Sequence, residues 1–423
     1  MNLLVMIGGV SCFSASSGLR GNDTFLLPDQ NFEVGGPKIP KSLRFRKILE
    51  RVYTPALSKP IWLDGENESL NYEVLKSVIL MAYDHGLNPN DYPLYEKKPT
   101  DLWLRDILIS NTYLTLIHDM RFGRKPHFRF DSRREGRSEF LTAQLRRLEY
   151  GIPVSWTFLD DLAPYHPQYL GLKREYQDNK NKDFLGTLEV NLDLWRALPR
   201  DLGSTYLLVI LPEAKAQLYR DGHLKFESSV LVGSLKGPTP TMITQIKSID
   251  TNPSWYIPSK IVLDEILPKA VADSNYLARH EIRVETRVKK QSVDSTQIDW
   301  STVKSEPLPY RFIQQPGPKN PLGQLRFNLE NPFAIHIHDT PERQLFFSNN
   351  RLRTHGCLRI DRARELAGLL SGPNIDIDAL IDEIPPRFRK IRLPKPIPVY
   401  IVYLTAWVDD TGVRYSQPIY GPK

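Results

Sequence analysis

The sequence predicts an α+β protein in which a mainly helical N-terminal lobe is followed by a mostly β domain. Apolar residues recur at helical spacing in the first half of the chain, as at Leu75, Val78 and Ile79. From Ser204 onward, short β-branched and aromatic runs separated by turn signals replace that pattern, beginning with Tyr206–Leu211. The 423 residues are enough for two or three domains.

The helical lobe is assigned to residues 37–200. Asn71 is the expected N-cap of the second helix, and Thr100 or Asp101 that of the third. The predicted helices are Ser42–Tyr53, Tyr72–His85, a long helix from Leu102 through Ile117, Glu139–Tyr150 and Leu170–Gln177.

The β domain is assigned to residues 204–423. Turns are expected at Asp221-Gly222 and Asp409–Gly412, and Asp361 is the expected N-cap of an inserted helix that runs to Leu370. The predicted strands are Tyr206–Leu211, Gln217–Tyr219, Phe226–Val232, Phe333–His338, Val399–Leu404 and Val413–Tyr415.

Composition and charge exclude several classes of protein. The net charge of +7 is a mild excess spread along the chain, which favours a solvated surface over a nucleic-acid groove. The sequence contains no run of about 18 apolar residues, so it does not predict a transmembrane body. Two cysteines, Cys12 and Cys357, are too few for a disulfide framework.

The N-terminal segment, residues 1–25, is interpreted as an export signal or a flexible N-terminus. Leu3–Val10 is a short apolar run, and small residues follow it. The sequence around Cys12 weakly resembles a lipoprotein cleavage box. We therefore expect an exported protein in the periplasm or cell envelope of a Gram-negative-type bacterium.

The window Asn331–Asp361 contains three of the nine histidines and the only cysteine after Cys12. One interpretation is nucleophilic catalysis, because a neighbouring imidazole activates a thiol that is mostly protonated at neutral pH. Gly356 permits a tight turn before Cys357, and main-chain N–H groups of that turn could form an oxyanion hole.

A metal site is the second interpretation of this window. His336 with His338, and His355 with Cys357, are two i, i+2 pairs of ligand types that bind Zn²⁺ or copper when they lie on strands. A purely structural role is the third. Spacing alone leaves all three open.

The same window resembles the YkuD-type L,D-transpeptidases, which share a histidine followed further along the chain by Ser/Thr-His-Gly-Cys. Here that pattern is His338 followed by Thr354-His355-Gly356-Cys357. Similarity to the larger, YcbB-like branch extends over residues 204–420, for example at Pro238-Thr239-Pro240. The stretch between Tyr169 and Tyr206 is too short for the peptidoglycan-binding domain of those larger enzymes.

The resemblance implies a role for each motif residue. Cys357 is the expected nucleophile and His338 the general base and acid, while main-chain groups of His355, Gly356 and Cys357 are the expected oxyanion donors. An inserted lid is expected within residues 273–310. The expected substrate contacts are Arg359, Thr354, His336, Trp255 and Tyr256.

Some of these residues could instead have purely structural roles. Arg359 could form a surface salt bridge, and Trp255 with Tyr256 could be a packed aromatic pair. His336 and His338 are expected on one face of a strand, with His338 at its end. The second ring nitrogen of His338 is expected to bond a main-chain carbonyl, which would fix its tautomer.

The implied activity is peptidoglycan L,D-transpeptidation in cell-wall biogenesis and cell shape. An acyl-enzyme forms with a donor tetrapeptide stem, D-Ala leaves, and an amine of an acceptor stem completes a cross-link between third residues. No metal or organic cofactor is needed, and carbapenems are expected to acylate Cys357. The expected partners are donor and acceptor stem peptides and other wall-synthesis proteins, with no nucleic acid.

Three alternatives stay open beside this activity. Water could replace the acceptor amine, which would make the protein a hydrolase, or the lysine of an envelope protein could replace it. A non-catalytic wall-binding protein is the third, although Cys357 and His338 are both intact.

Overall fold

The computed structural model describes residues 37–54, 59–95, 99–132, 136–178 and 182–421, so the predicted export segment with Cys12 lies outside the described residues. The N-terminal part is helical, as predicted. Its α-helices are Arg46–Tyr53, Leu70–Met81, Leu102–Phe122, Arg137–Glu149, Phe158–Leu162, Pro167–Asp178 and Leu185–Ala197. Its short 3₁₀ turns are Ala82–His85, Pro89–Asp91 and Lys182–Phe184, and its two-residue strands are Leu63–Asp64, Asn67–Glu68 and Phe130–Asp131.

The helix starts test the predicted caps. Asp101 caps the long helix by accepting a hydrogen bond from the N–H of Leu104, which is one of the two predicted alternatives. Asn71 is not a cap: Ser69 has the extended backbone of an N-cap and accepts from the N–H of Tyr72. The Asn71 side chain lies inside the helix and accepts from the N–H of Val154 at 3.1 Å.

The helix Leu185–Ala197 was not predicted. Its C-terminal half has no exposed face, since every residue from Asn191 to Ala197 is buried. A helix without an exposed polar face shows no amphipathic period, so the pattern on which the other helices were predicted is missing.

The β domain is built on one large sheet that closes on itself. Met242–Thr251 pairs with Arg389–Val402 on one side and with Leu325–Leu329 on the other, which completes the ring. In order around the ring the strands are Leu325–Leu329, Ile337–His338, Leu358–Ile360, His223–Gly233, Lys215–Arg220, Thr205–Ile210, Arg389–Val402 and Met242–Thr251. Leu352–Thr354 pairs with the end of His223–Gly233, and Ala406–Asp409 forms a hairpin with Gly412–Tyr415.

The sheet separates two hydrophobic cores. Tyr206, Leu208 and Ile210 face the helical lobe and join its core, whereas Leu207 and Val209 face the interior of the closed sheet. Burial on both faces explains why this strand is an uninterrupted apolar run in the sequence. The helix Ala363–Ser371 and the short helix Ile377–Ile381 also cover the interior core.

A separate sub-structure is inserted between Met242–Thr251 and Leu325–Leu329. It has its own hydrophobic core, which includes Val262, Val284 and Phe312. Its sheet consists of Ser292–Val293, Ile282–Thr286, Tyr310–Gln314 and Trp255–Tyr256, and its helical segments are Ser259–Ile261, Val262–Ile266, Leu267–Ala272, Tyr276–Arg279, Ser295–Gln297 and Trp300–Thr302. This inserted sub-structure, Trp255–Gln314, extends beyond the predicted range 273–310 at both ends.

Two local predictions are wrong. The strand predicted from Phe333 is only Ile337–His338, because the Asn331 side chain accepts from the N–H groups of Phe333 and Ile335 and closes a turn there. Asp361 does not cap the following helix, which begins at Ala363. Its own N–H instead continues the sheet by donating to the carbonyl of Ser229 at 3.1 Å.

Within the described ranges, no helix has both the length and the apolar character that a membrane crossing requires.

Candidate active site

Cys357 lies at the end of a tight turn, Thr354–Cys357, that precedes the strand Leu358–Ile360. The Thr354 hydroxyl accepts from the N–H of Gly356 at 3.2 Å and donates to the carbonyl of Cys357 at 2.6 Å. Gly356 has φ +112°, and a Cβ there would lie 3.0 Å from the Ile335 side chain. The turn therefore needs both the threonine and the glycine of the motif.

Thr354 is buried, and its side chain is engaged inside this turn. That placement favours a role in holding the turn over the predicted contact with substrate. The N–H of Gly356 is likewise already bonded to Thr354, so in this conformation it does not point to an oxyanion.

A second loop, Gly233–Thr239, supports the turn from behind, and the sequence analysis gave it no role. The buried Thr239 hydroxyl donates to the carbonyl of Gly356 at 2.9 Å and accepts from the N–H of Gly233 at 2.9 Å. The N–H of Ser234 donates to the carbonyl of Thr354 at 2.8 Å. The only sequence signal for this loop was its place among the stretches that resemble the YcbB-like branch.

The thiol of Cys357 is half-buried against residues 334–336, which lead into the strand Ile337–His338. Its sulfur lies 3.5 Å from the main-chain nitrogen of His336 and 3.9 Å from the carbonyl oxygen of Ala334. Burial raises the pKa of the Cys357 thiol, while the N–H of His336 and the charges of Arg359 and Arg326 oppose that rise.

His338 is buried on the neighbouring strand, at the position paired with Arg359. Its Nδ1 lies 2.6 Å from the carbonyl oxygen of Asp339. A carbonyl only accepts, so Nδ1 holds the proton and Nε2 presents a lone pair. This is the main-chain acceptor that the sequence analysis expected. Burial, assisted by Arg359, His336 and Arg326, lowers the pKa of His338 to about 3, against the opposing effect of the hydrogen bond to Asp339.

Asp339 is itself fixed, which holds its carbonyl in place beside His338. One carboxylate oxygen accepts from the N–H of Gln324 at 2.9 Å, and the other is paired with Arg343. The N–H of Asp339 donates to the carbonyl of Leu325 at 2.8 Å.

His336 lies two residues before His338. Burial lowers its pKa to about 4, and the charge of Arg326 adds to that effect. Its Nδ1 is buried and forms no hydrogen bond with any described residue, so its ring has no anchor comparable to that of His338.

Two arginines flank His338 across the sheet. Arg359 lies beside it on one neighbouring strand and forms an ion pair with Glu342. Arg326 lies opposite it on the other and forms an ion pair with Asp250 at 2.6 Å. Arg359 was predicted as a site residue, whereas Arg326 and Asp250 were not, because no motif links them to the nucleophile in the sequence.

Trp255 and Tyr256 lie on the inserted sub-structure. Trp255 packs against its core, and Tyr256 is exposed on a groove of about 410 Å³ together with Arg287 and Arg311. An ion pair of 2.7 Å from Glu265 to the exposed ring of His355 joins the inserted sub-structure to the turn Thr354–Cys357.

The metal interpretation receives no support from this geometry. Across the described part of the chain, no group of three or more His, Cys, Asp or Glu side chains is arranged to hold a metal ion. His355 points to Glu265 outside the turn, while His338 is buried beside Arg359.

Comparison with known families identifies the two parts of the chain. The YkuD family, described as an L,D-transpeptidase catalytic domain, matches residues 204–392. These residues belong to that family. A second family, described as a scaffold domain, matches residues 47–175 and covers most of the helical lobe that precedes the L,D-transpeptidase domain.

One relative extends the similarity over nearly the whole chain. A Haemophilus influenzae protein provisionally named an L,D-transpeptidase is 26% identical over 417 residues, which cover 94% of this chain and 82% of the relative. The predicted YkuD-type resemblance of the catalytic domain is therefore confirmed, while its placement in the YcbB-like branch stays a prediction.

Two solved structures show only distant similarity to this chain. The avibactam carbamoyl enzyme of Ldtfm has a TM-score of 0.24 at 13% identity, and the match covers 48% of this chain and 51% of that chain. A cysteine-to-serine variant of an Enterococcus faecium L,D-transpeptidase has a TM-score of 0.20 at 11% identity, and the match covers 48% of this chain and 52% of that chain.

Proposed function

We propose that this protein is a peptidoglycan L,D-transpeptidase in which Cys357 is the nucleophile and His338 the general base and acid. The observation that supports this most is the turn Thr354–Cys357, which holds the thiol against the strand that ends at His338. The Nδ1 of that histidine is held by the carbonyl of Asp339, so its Nε2 is the proton acceptor.

The resting site holds a neutral thiol and a neutral imidazole, since burial raises the pKa of Cys357 and lowers that of His338. When the sulfur attacks the carbonyl carbon after the third residue of the donor stem, its proton passes to His338 Nε2. The tetrahedral intermediate collapses to a thioester as His338 returns the proton to the nitrogen of the departing D-Ala. An amine of the acceptor stem then attacks the thioester and restores the thiol, which leaves a cross-link between third residues.

The main-chain N–H groups of Cys357 and His355 are the proposed oxyanion donors, because the N–H of Gly356 is bonded within the turn. Arg359 is the proposed contact for a substrate carboxylate, and His336, Trp255 and Tyr256 are proposed to line the substrate site. The inserted sub-structure is the proposed lid. The thiol of Cys357 is the proposed target of carbapenems.

We further propose that the protein is exported and acts at the bacterial cell wall, where stem peptides and other wall-synthesis proteins are its partners. The helical lobe, residues 37–200, is a proposed scaffold for the catalytic domain at residues 204–423. No metal or organic cofactor takes part in the proposed reaction.

Incubation of the purified protein with a disaccharide-tetrapeptide, followed by mass spectrometry of the products, tests this function. A cross-linked dimer that has lost one D-Ala is expected. Disaccharide-tripeptide alone would identify a hydrolase and contradict transpeptidation. If wild type and Cys357→Ala both leave the tetrapeptide intact, peptidoglycan stems are not the donor.

A further inference from the structure

The closed sheet beside the nucleophile carries two adjacent rows of side chains on opposite faces. One row is apolar and faces the interior core: Ile391, Ile249, Phe327, Ile337 and Leu358. The adjacent residue on each strand, before or after the apolar one according to strand direction, forms a second row, which we call the polar row: Lys390, Asp250, Arg326, His338 and Arg359. Strand alternation places all five side chains of the polar row on one face.

Arg326 is the member of the polar row that faces His338 directly. Side chains that lie directly opposite on antiparallel strands have Cβ atoms about 4.5–5.5 Å apart, so the guanidinium and the imidazole are neighbours. On its other side Arg326 is bonded to Asp250 at 2.6 Å, and Asp250 is fully buried. The carboxylate has no route to solvent, so it holds the guanidinium in place.

This part of the site contains several polar atoms without partners. The Nε atoms of Arg326 and Arg359, Nδ1 of His336 and Oδ1 of Asp250 are buried and form no hydrogen bond with any described residue. The Arg326 side chain is 24% exposed, so water screens its charge only in part over a few ångströms. The positive charge of Arg326 is therefore effective at the neighbouring titratable groups.

The other charged groups around Arg326 and His338 come from several elements. Arg359 is balanced by Glu342, and the carboxylate of Asp339 is taken up by Arg343 and the N–H of Gln324. Lys390 ends the polar row on the far side of Asp250 and is exposed, and His355 faces Glu265 on the outside of the turn. Only the Arg326–Asp250 pair is both buried on its carboxylate side and directly opposite His338.

We propose that Arg326, held by Asp250, is a positioning residue whose positive charge makes both Cys357 and His338 release protons more readily. The charge keeps His338 neutral and able to accept a proton, and it stabilises the thiolate that forms when Cys357 loses one. Asp250 sets the strength of this effect, because it offsets part of the charge. The inference rests on the proposed nucleophile, Cys357, and its direction agrees with the contributions of Arg326 to the pKa of both groups.

The test is the pH dependence of Cys357 alkylation by iodoacetamide, followed by intact-protein mass in a chain with Cys12 replaced by Ser. Arg326→Gln should move the titration to higher pH and slow alkylation at pH 7 about three- to tenfold, because less thiolate is present. Arg326→Lys retains the charge and should restore most of the rate. Asp250→Asn removes the offsetting charge and should move the titration in the opposite direction.

These opposite directions separate an electrostatic role from a structural one, since a loosened site would shift Arg326→Gln and Asp250→Asn the same way. Arg392→Gln is the matched control, because it removes an exposed arginine of the same sheet that pairs with Ser248 outside the polar row. Equal profiles for wild type and Arg326→Gln, or shifts of one sign in both variants, would overturn the proposal. Alkylation needs no wall substrate, so failure of the proposed function would leave this result intact.

Discussion

At the scale of single residues, the site depends on two threonine side chains that fix the main chain around Cys357 and on one main-chain carbonyl that fixes the ring of His338. Thr354 and Thr239 use one hydroxyl each to bond two main-chain groups of the turn and its supporting loop. Asp339 holds the ring of His338 through its carbonyl. The reactive groups are thus positioned by main-chain contacts that neither composition nor periodicity displays.

His338 and His336 should differ sharply in their importance for acylation. His338→Gln removes the ring whose proton is fixed on Nδ1, and single-turnover acylation should fall about 10² to 10⁴-fold. His336→Gln should cost much less, because the contact of His336 with the sulfur is made by its main-chain nitrogen, which the substitution retains. Rapid-quench acylation of both variants across pH measures the difference. If His336→Gln loses acylation and His338→Gln keeps it, the assignment of His338 as the general base is wrong.

The sequence was sufficient to propose a reactive pair, Cys357 and His338, but not to predict its surroundings. Cys357 and His338 are part of a local motif, so the printed chain contains the signal. Asp250 and Arg326 are 76 residues apart and meet only through strand register. A one-residue change of register would turn both side chains to the opposite face, and register is decided by the assembled sheet.

At the scale of structural elements, an exposed ion pair connects the inserted sub-structure to the turn Thr354–Cys357. Glu265 lies on the helical segment of the sub-structure, and His355 is the residue two before Cys357. Exposed ion pairs contribute about 0.2–1 kcal/mol, so this contact biases the position of the element without locking it.

Glu265→Gln should therefore loosen the helical segment over residues 259–272 modestly. Loss of an exposed pair changes an opening equilibrium by up to about fivefold, which hydrogen–deuterium exchange of peptides from this segment would detect. Lys260→Gln is the matched control, since it removes a pair with Asp264 on the same segment that does not reach the turn. Equal exchange in Glu265→Gln and wild type would show that the contact has no energetic role.

The elements that the sequence misplaced have specific physical causes. The strand predicted from Phe333 was shortened by the Asn331 side chain, which competes with the sheet for main-chain N–H groups. The helix Leu185–Ala197 was not predicted, because its C-terminal half is buried on all sides and shows no amphipathic pattern. The strand Met242–Thr251 was not predicted, although it joins two neighbours and closes the sheet, because partners distant in sequence stabilise it.

At the scale of the whole molecule, the helical lobe and the β domain share one hydrophobic core across a face of the sheet. The buried side chain of Asn191 strengthens this junction. It donates to the Thr405 hydroxyl at 2.9 Å and accepts from the N–H groups of Thr405 and Ala406 at 2.9 and 3.1 Å. The lobe therefore supports the outer face of the sheet. The strands Ile337–His338 and Leu358–Ile360 of the same sheet hold the candidate site.

Four histidines should make the folded chain sensitive to mild acid. Burial lowers the pKa of His85 and His338 from 6.5 to about 3, and that of His166 and His336 to about 4. The unfolded chain binds these protons below pH 6.5 and the folded chain does not, so stability falls as the pH drops from 6.5 toward 3. Each histidine should cost about 2 kcal/mol by pH 5.

Urea unfolding at pH 7.5 and pH 5 measures this loss, and His85→Gln should remove about a quarter of it. The pKa of Asp193 is lowered to about 2, so this residue changes the free energy of unfolding only at lower pH. It does not affect the comparison between pH 7.5 and pH 5. Unchanged stability between the two pH values would contradict the buried neutral state of these rings.

The central claim is that Cys357 forms the acyl-enzyme, and intact-protein mass spectrometry after rapid mixing with a disaccharide-tetrapeptide tests it most directly. We expect a mass increase equal to the donor less D-Ala, located by peptide mapping at Cys357, and absent from Cys357→Ser. A covalent donor adduct on any other residue, or cross-linked product made by Cys357→Ala, would contradict the account.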